Sequence, residues 1–316
     1  MSLAFVFPGQ GSQSVGMLAD LGATEPVVRQ TFDEASEVLD YDLWALCQQG
    51  PEADLGATER TQPAMLAAGV ATWRVWLAHG GPRPVAMAGH SLGEYSALVC
   101  SESLDFRTAI DLVRYRGQVM QQAVPVGQGA MAAILGLEDA ELEAACREAA
   151  QGEVVEPVNF NAPGQTVIAG NAGAVQRAME VAKSRGAKRA VLLPVSVPSH
   201  SRLMVGAAKR LAARLAGVEV RLPNVPSVYT VDVKTHDSPE GIRRSLEEQL
   251  YKPVRWAETV RTMITQGCTT FVECGPGKVL TSLNRRIERK PELRMVALED
   301  GASIAAALAA CQEATP

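Results

Sequence analysis

The sequence predicts an α/β protein: a large domain with a parallel sheet, interrupted by a small inserted βαββαβ subdomain of ferredoxin-like order. Three observations predict it. Short apolar runs alternate with stretches of helical spacing, the pattern of buried parallel strands between helices. Gly89-His90-Ser91-Leu92-Gly93 stands between the apolar run 85–88 and a helix opening at Tyr95, so strand, sharp turn and helix follow one another. Past Gly127-Gln128-Gly129 the rhythm becomes strand-helix-strand-strand-helix-strand. The domains are therefore 1–127 with 198–316, and the insertion 128–197.

Residues 3–7 form an apolar run closed by Pro8 and Gly9, a buried first strand. Pro8-Gly9-Gln10-Gly11-Ser12-Gln13 is a glycine-rich turn that lets backbone N–H groups approach a ligand, and no Gly-Lys-Ser/Thr follows to make it a phosphate loop. Val27, Val28, Phe32, Ala35 and Leu39 share one helix face, and Leu43, Leu46 and Cys47 suggest a second helix. Gln62-Pro63 opens a helix that Gly80-Gly81-Pro82 stops. Helical spacing returns over 106–124, with Arg114 and Arg116 two apart and therefore on different faces. In the insertion the strands are 130–135, 154–159, 166–169 and 189–195, the helices 139–150 and 173–185, and 161–165 is a turn. Residues 194–201 are held extended by Pro194 and Pro198. Helices follow at 202–215, 242–250, 258–266, 279–287 and 303–311, with strands at 225–230, 269–273 and 295–298.

The charge is −5 in 316 residues, which argues against a nucleic-acid partner. The six cysteines form no C-x-x-C pair, and most lie in apolar runs, so they read as small core residues in a reducing compartment. No secretory leader pattern and no apolar run of about 18 residues occurs, so the chain is expected in the cytoplasm, off the membrane. It is read as a monomer that needs no cofactor.

Ser91 at the turn is the candidate nucleophile, and a neutral serine needs a base within reach. Of four histidines, His79 ends a helix beside glycines, His90 should point away from Ser91, and His236 lies in a polar run. His200, on the proline-braced loop, remains as the general base. No aspartate stands out as a third member, so a backbone or amide carbonyl is left to orient the imidazole. The N–H of Leu92 is one candidate oxyanion donor, and the turn at Gln10 offers the second. A serine hydrolase on the same scaffold fits these residues as well.

The motifs Phe7-Pro8-Gly9-Gln10-Gly11-Ser12-Gln13, Gly89-His90-Ser91-Leu92-Gly93-Glu94-Tyr95 and Asn159-Phe160-Asn161-Ala162-Pro163-Gly164-Gln165 occur in that order. Val197-Pro198-Ser199-His200-Ser201, Gln249-Leu250-Tyr251-Lys252-Pro253-Val254 and Glu273-Cys274-Gly275-Pro276-Gly277 follow. In these the chain resembles the malonyl-CoA:acyl carrier protein transacylases over nearly its whole length. The resemblance implies an α/β-hydrolase-like large domain and a ping-pong transfer of malonyl from malonyl-CoA, through Ser91, to the phosphopantetheine thiol of acyl carrier protein. It implies His200 as base, oriented by the backbone carbonyl of Gln249, and Gln10 and Leu92 as oxyanion donors. It gives Arg116, in Arg116-Gly117-Gln118-Val119-Met120, the malonyl carboxylate, with Gln10 and Asn161 also at the substrate. A planar guanidinium suits that role because it binds a carboxylate bidentately. Acyl carrier protein is acidic, so a basic docking patch is expected, either Lys183, Arg185, Lys188 and Arg189 or Arg285, Arg286, Arg289 and Lys290.

Overall fold

In the computed structural model residues 2–195 and 197–312 are described; Ser196, in the proline-braced loop, lies outside them. The first sheet holds β1 (Leu3–Phe7), β2 (Ala86–Gly89), β7 (Ser227–Val228), β8 (Thr270–Cys274) and β9 (Arg294–Leu298). Its order is β7-β2-β1-β8-β9 and every pairing is parallel. Parallel strands bury both faces, which is why these segments read as unbroken apolar runs. Alternation along β1 sends Leu3, Phe5 and Phe7 into one core and Ala4 and Val6 into another. On the first face Phe5 meets Trp73 and Trp76 edge-on, with ring centroids 5.1 and 5.3 Å away. On the second, Trp256, Val260 and Met263 pack.

The second sheet holds β3 (Gly129–Leu135), β4 (Val155–Ala162), β5 (Gln165–Asn171) and β6 (Arg189–Leu192). Its order is β4-β5-β3-β6, antiparallel throughout. The helices Asp139–Ala150 and Ala172–Ser184 cover one face of it around Ile134, Leu142, Ile168 and Val175. The other face carries the small cluster of Met131, Val158, Val167 and Ala169. β4 also leaves its own sheet. Val254 donates to Val158 O at 2.8 Å and accepts from Phe160 N–H at 2.9 Å, fastening the small sheet to the segment after Gln249.

Several boundaries differ from the sequence expectation. The helix expected to open at Gln62-Pro63 begins at Thr58 and carries Pro63 inside it. Its first turn is secured upstream of the proline, by Thr61 Oγ1 donating to Leu55 O and Thr61 N–H to Ala57 O. Gly117 of the Phe106–Gln121 helix packs on that turn, where a Cβ would come within 2.6 Å of Glu59 Cα. The expected turn 161–165 shrinks to Pro163-Gly164, because Asn161 and Ala162 belong to β4. The strand expected over 225–230 is only Ser227–Val228, and β6 stops at Leu192.

Candidate active site

β1 and β2 run in register, from Ala4 opposite Ala86 to Phe7 opposite Gly89, so their carboxyl ends deliver two loops to one point. Ligands of open parallel sheets bind at such ends. The loop after β2 is a sharp turn into the Gly93–Cys100 helix, with Ser91 at φ 52°. A left-handed serine costs about 1–2 kcal/mol, and the neighbouring glycines make the turn sterically possible. A Cβ on Gly89 would sit 1.9 Å from Gly93 C, and one on Gly93 would sit 2.0 Å from Phe7 O. The turn lifts Ser91 into a cavity of about 910 Å³ between the two sheets, which the loop after β1 also lines.

The structure brings Gln10, Ser91, Leu92, Arg116, Asn161 and His200 to this one cavity, with Gln249 directly behind them. The backbone N–H groups of Gln10 and Leu92 donate to no group among the described residues. His200 is buried, at φ 65°, and its N–H donates to Leu250 O at 2.9 Å. His200 Nδ1 lies 2.6 Å from the main-chain oxygen of Gln249. A carbonyl can only accept, so Nδ1 carries the hydrogen and Nε2 keeps its lone pair. Burial, then the Arg116 charge, hold the imidazole down to about 3, so it is neutral at ordinary pH.

Arg116 is 1% exposed. Its guanidinium donates to Gln62 Oε1 at 2.9 Å, to Gln249 Oε1 at 2.9 Å and to Ser91 Oγ at 3.2 Å. It also stacks over the Tyr95 ring at 5.6 Å, and its Nε has no partner among the described residues. Among the described residues no carboxylate touches it directly; Glu94 offsets its charge only through Gln249, so a buried cation faces the cavity without an ion-pair partner. Arg114 turns the other way and pairs with Asp111 at 2.6 Å.

His90 borders the same cavity, its ring 5.6 Å from Trp256 and its Nε2 2.8 Å from Asn161 Oδ1. Asn161 thus has its carbonyl oxygen engaged, while the buried Oδ1 of Asn159, two residues back on β4, has no partner among the described residues. His236 lies in the polar run, partly buried, with its ring 4.8 Å from Tyr229. Sequence reasoning missed Glu94, Gln62 and the side chain of Gln249. Their signal was a polar residue inside an otherwise apolar buried helix for Gln62 and Glu94.

A family model described as an acyl transferase domain matches residues 4–301. The malonyl CoA-acyl carrier protein transacylase of Escherichia coli (strain K12) is 57% identical over 305 residues, covering 96% of this chain and 98% of that protein. The transacylase of the same description from Bacillus subtilis (strain 168) is 42% identical over 312 residues, covering 98% of both. The solved malonyl CoA-acyl carrier protein transacylase of Coxiella burnetii superposes with a TM-score of 0.96 at 52% identity, over 98% of this chain and 97% of that one. A malonyl-transacylase solved in complex with a type II PKS acyl-carrier protein gives a TM-score of 0.96 at 56% identity, over 98% and 100% of the two chains. With the serine turn, the buried arginine and the glycine-rich loop in one cavity, this chain belongs to the acyl transferase family, among the malonyl-CoA–acyl carrier protein transacylases.

Proposed function

We propose that the chain transfers malonyl from malonyl-CoA to the phosphopantetheine thiol of acyl carrier protein by a ping-pong route through malonyl-Ser91. Ser91 Oγ attacks the thioester carbonyl, and its proton passes to His200 Nε2. The N–H groups of Gln10 and Leu92 receive the developing oxyanion. The C–S bond breaks, and the coenzyme A sulfur leaves with the proton from His200. The carrier thiol then repeats the sequence in reverse, giving its proton to His200 and taking the malonyl group, which restores the Ser91 hydroxyl. Gln249, through its main-chain oxygen, keeps the imidazole in the productive tautomer.

One observation carries the substrate class: a buried guanidinium 3.2 Å from the nucleophile with no carboxylate of its own. A malonyl carboxylate supplies the missing anion, bidentately. Asn159, with its free Oδ1, suits an amide N–H of the pantetheine arm better than Asn161 does. Of the two basic clusters, the C-terminal one fits an acidic carrier better. In the first, Lys183 pairs with Glu180 and Arg185 with Glu141 and Glu148, leaving Lys188 and Arg189 without a carboxylate among the described residues; in the second only Lys290 pairs, with Glu288, leaving Arg285, Arg286 and Arg289. The relative solved with a type II PKS acyl-carrier protein supports a carrier as the acceptor.

The strand orders support an α/β-hydrolase-like large domain over 1–127 and 198–316 with a ferredoxin-like insertion at 128–197. We read the protein as a cytoplasmic monomer that works without a cofactor. Among the described residues no helix is long and apolar enough to cross a membrane.

The test is the intact mass after incubation with malonyl-CoA, with Ser91→Ala beside it. A malonyl adduct on the wild type only, discharged by holo acyl carrier protein, is the expected result. An adduct that decays to free malonate regardless of carrier would make the protein a hydrolase.

A further inference from the structure

Glu94 lies in the first turn of the helix after the nucleophile, 2% exposed, and touches neither the cavity nor Ser91 Oγ. Its carboxylate receives three hydrogen bonds. Thr230 N–H and Thr230 Oγ1 donate to Oε1 at 2.8 and 2.7 Å, and Gln249 Nε2 donates to Oε2 at 2.6 Å. The same Gln249 Nε2 donates to Ser91 O at 2.9 Å, while Gln249 Oε1 accepts from Arg116 Nη2 at 2.9 Å. The two ends of a carboxamide have the same shape and opposite polarity. Burial pushes the Glu94 carboxyl up to about 7, against the hydrogen bonds it accepts from Thr230 and Gln249. In its ionised form it accepts only, so it admits the amide's NH₂ end and no other. With the amide reversed, an NH₂ group would face the guanidinium and an oxygen would face Glu94. Each is a buried like-with-like contact that leaves groups unsatisfied.

We propose that Glu94 is a positioning residue for acyl-group selection: it fixes the Gln249 amide so that Oε1 holds Arg116 in place to bind the substrate carboxylate. The inference rests on the reading of Arg116 as the carboxylate receptor. It assigns acyl preference to a residue two hydrogen bonds removed from the guanidinium.

A purely structural Glu94 would only tie its helix to the end of β7. Thr230→Val separates the two roles, because it removes one donor to Glu94 and leaves the Gln249 link intact. Glu94→Gln breaks the polarity match.

The measurement is single-turnover acylation of the full chain by malonyl-CoA and by acetyl-CoA, read by intact mass over a range of substrate concentrations. E94Q is expected to lower the malonyl-to-acetyl ratio roughly tenfold, the scale of one hydrogen bond to a charged group, mainly through a weaker malonyl KM. T230V is expected to melt earlier and keep the ratio within about twofold, below the scale of any one hydrogen bond to a charged group. An unchanged ratio in E94Q overturns the proposal. If E94Q does not fold, Gln249→Met carries the test: it deletes both amide ends and keeps the main-chain oxygen, and an unchanged ratio again overturns it. Wild-type protein that takes no malonyl at all would remove the functional reading along with this one. Wild-type malonylation with an unaltered E94Q ratio removes this one alone.

Discussion

The two walls of the cavity are built on different principles. The wall from the parallel sheet is polar: Ser91, Arg116 and His200 line it, joined through Gln249, with Glu94 buried behind. The wall from the antiparallel sheet is more apolar, with Met131, Ala133, Val167 and Leu193, and its polar groups are Asn159, Asn161 and Gln165. Preorganised dipoles are worth most where water is excluded and side chains cannot swing. A smooth apolar surface suits a long flexible arm that must enter and leave. The contrast assigns bond-making to one wall and passage to the other.

The largest break should come from the polar wall. Replacing His200 by Ala is expected to slow Ser91 acylation by on the order of a thousandfold, read as adduct formation by quenched mass spectrometry. Next, Arg116→Ala should lower malonyl acylation by on the order of a hundredfold while acetyl acylation changes far less. Malonyl and acetyl uptake falling equally would remove Arg116 from acyl selection.

The pH profile sharpens the point further. The base must be neutral, and burial and Arg116 hold His200 down to about 3. Acylation kcat/KM should therefore stay level as pH falls from about 8 to about 5, with no step near the usual imidazole value of about 6.5. A step there seen with malonyl-CoA alone would report Glu94, which burial raises to about 7, and a step shared with acetyl-CoA would mean that the His200 ring meets water. The same depressed value lowers stability in acid: between about 6.5 and about 3 the unfolded chain binds a proton at this ring that the folded chain refuses. His200→Gln should flatten that part of the unfolding curve against pH.

The smallest effect belongs to the apolar wall. Met131→Ala should lower stability by about 2 kcal/mol, measured by denaturant unfolding, yet leave the malonyl-to-acetyl ratio within about threefold. A large shift in that ratio would erase the division between the walls.

The sequence made the catalytic centre legible where the signal was local. The apolar run of β1, the glycines around Ser91 and the prolines before His200 each act within a few residues. The support network was not legible, because its partners are far apart along the chain. Gln249 reaches Glu94 across 155 positions, and Arg116 reaches Gln62 across 54. Nothing local says that these amides turn inward. Helix limits failed for a related reason: Thr58 starts its helix because Leu55, Ala57 and Gly117 hold that turn, against the local pull of Pro63.

The clasp between β4 and Val254 bears on how such a chain can be recombined. An insertion is commonly treated as a module, to be cut out or exchanged at its two crossover points. Here the backbone that follows Gln249 uses the small sheet as its hydrogen-bonding partner, although it lies far along the chain from either crossover. A chimera that swaps residues 128–197 alone would cut that partnership and loosen the segment holding His200. A graft expected to keep its parent's chemistry should transplant the 249–254 segment together with the insertion, as one inherited unit.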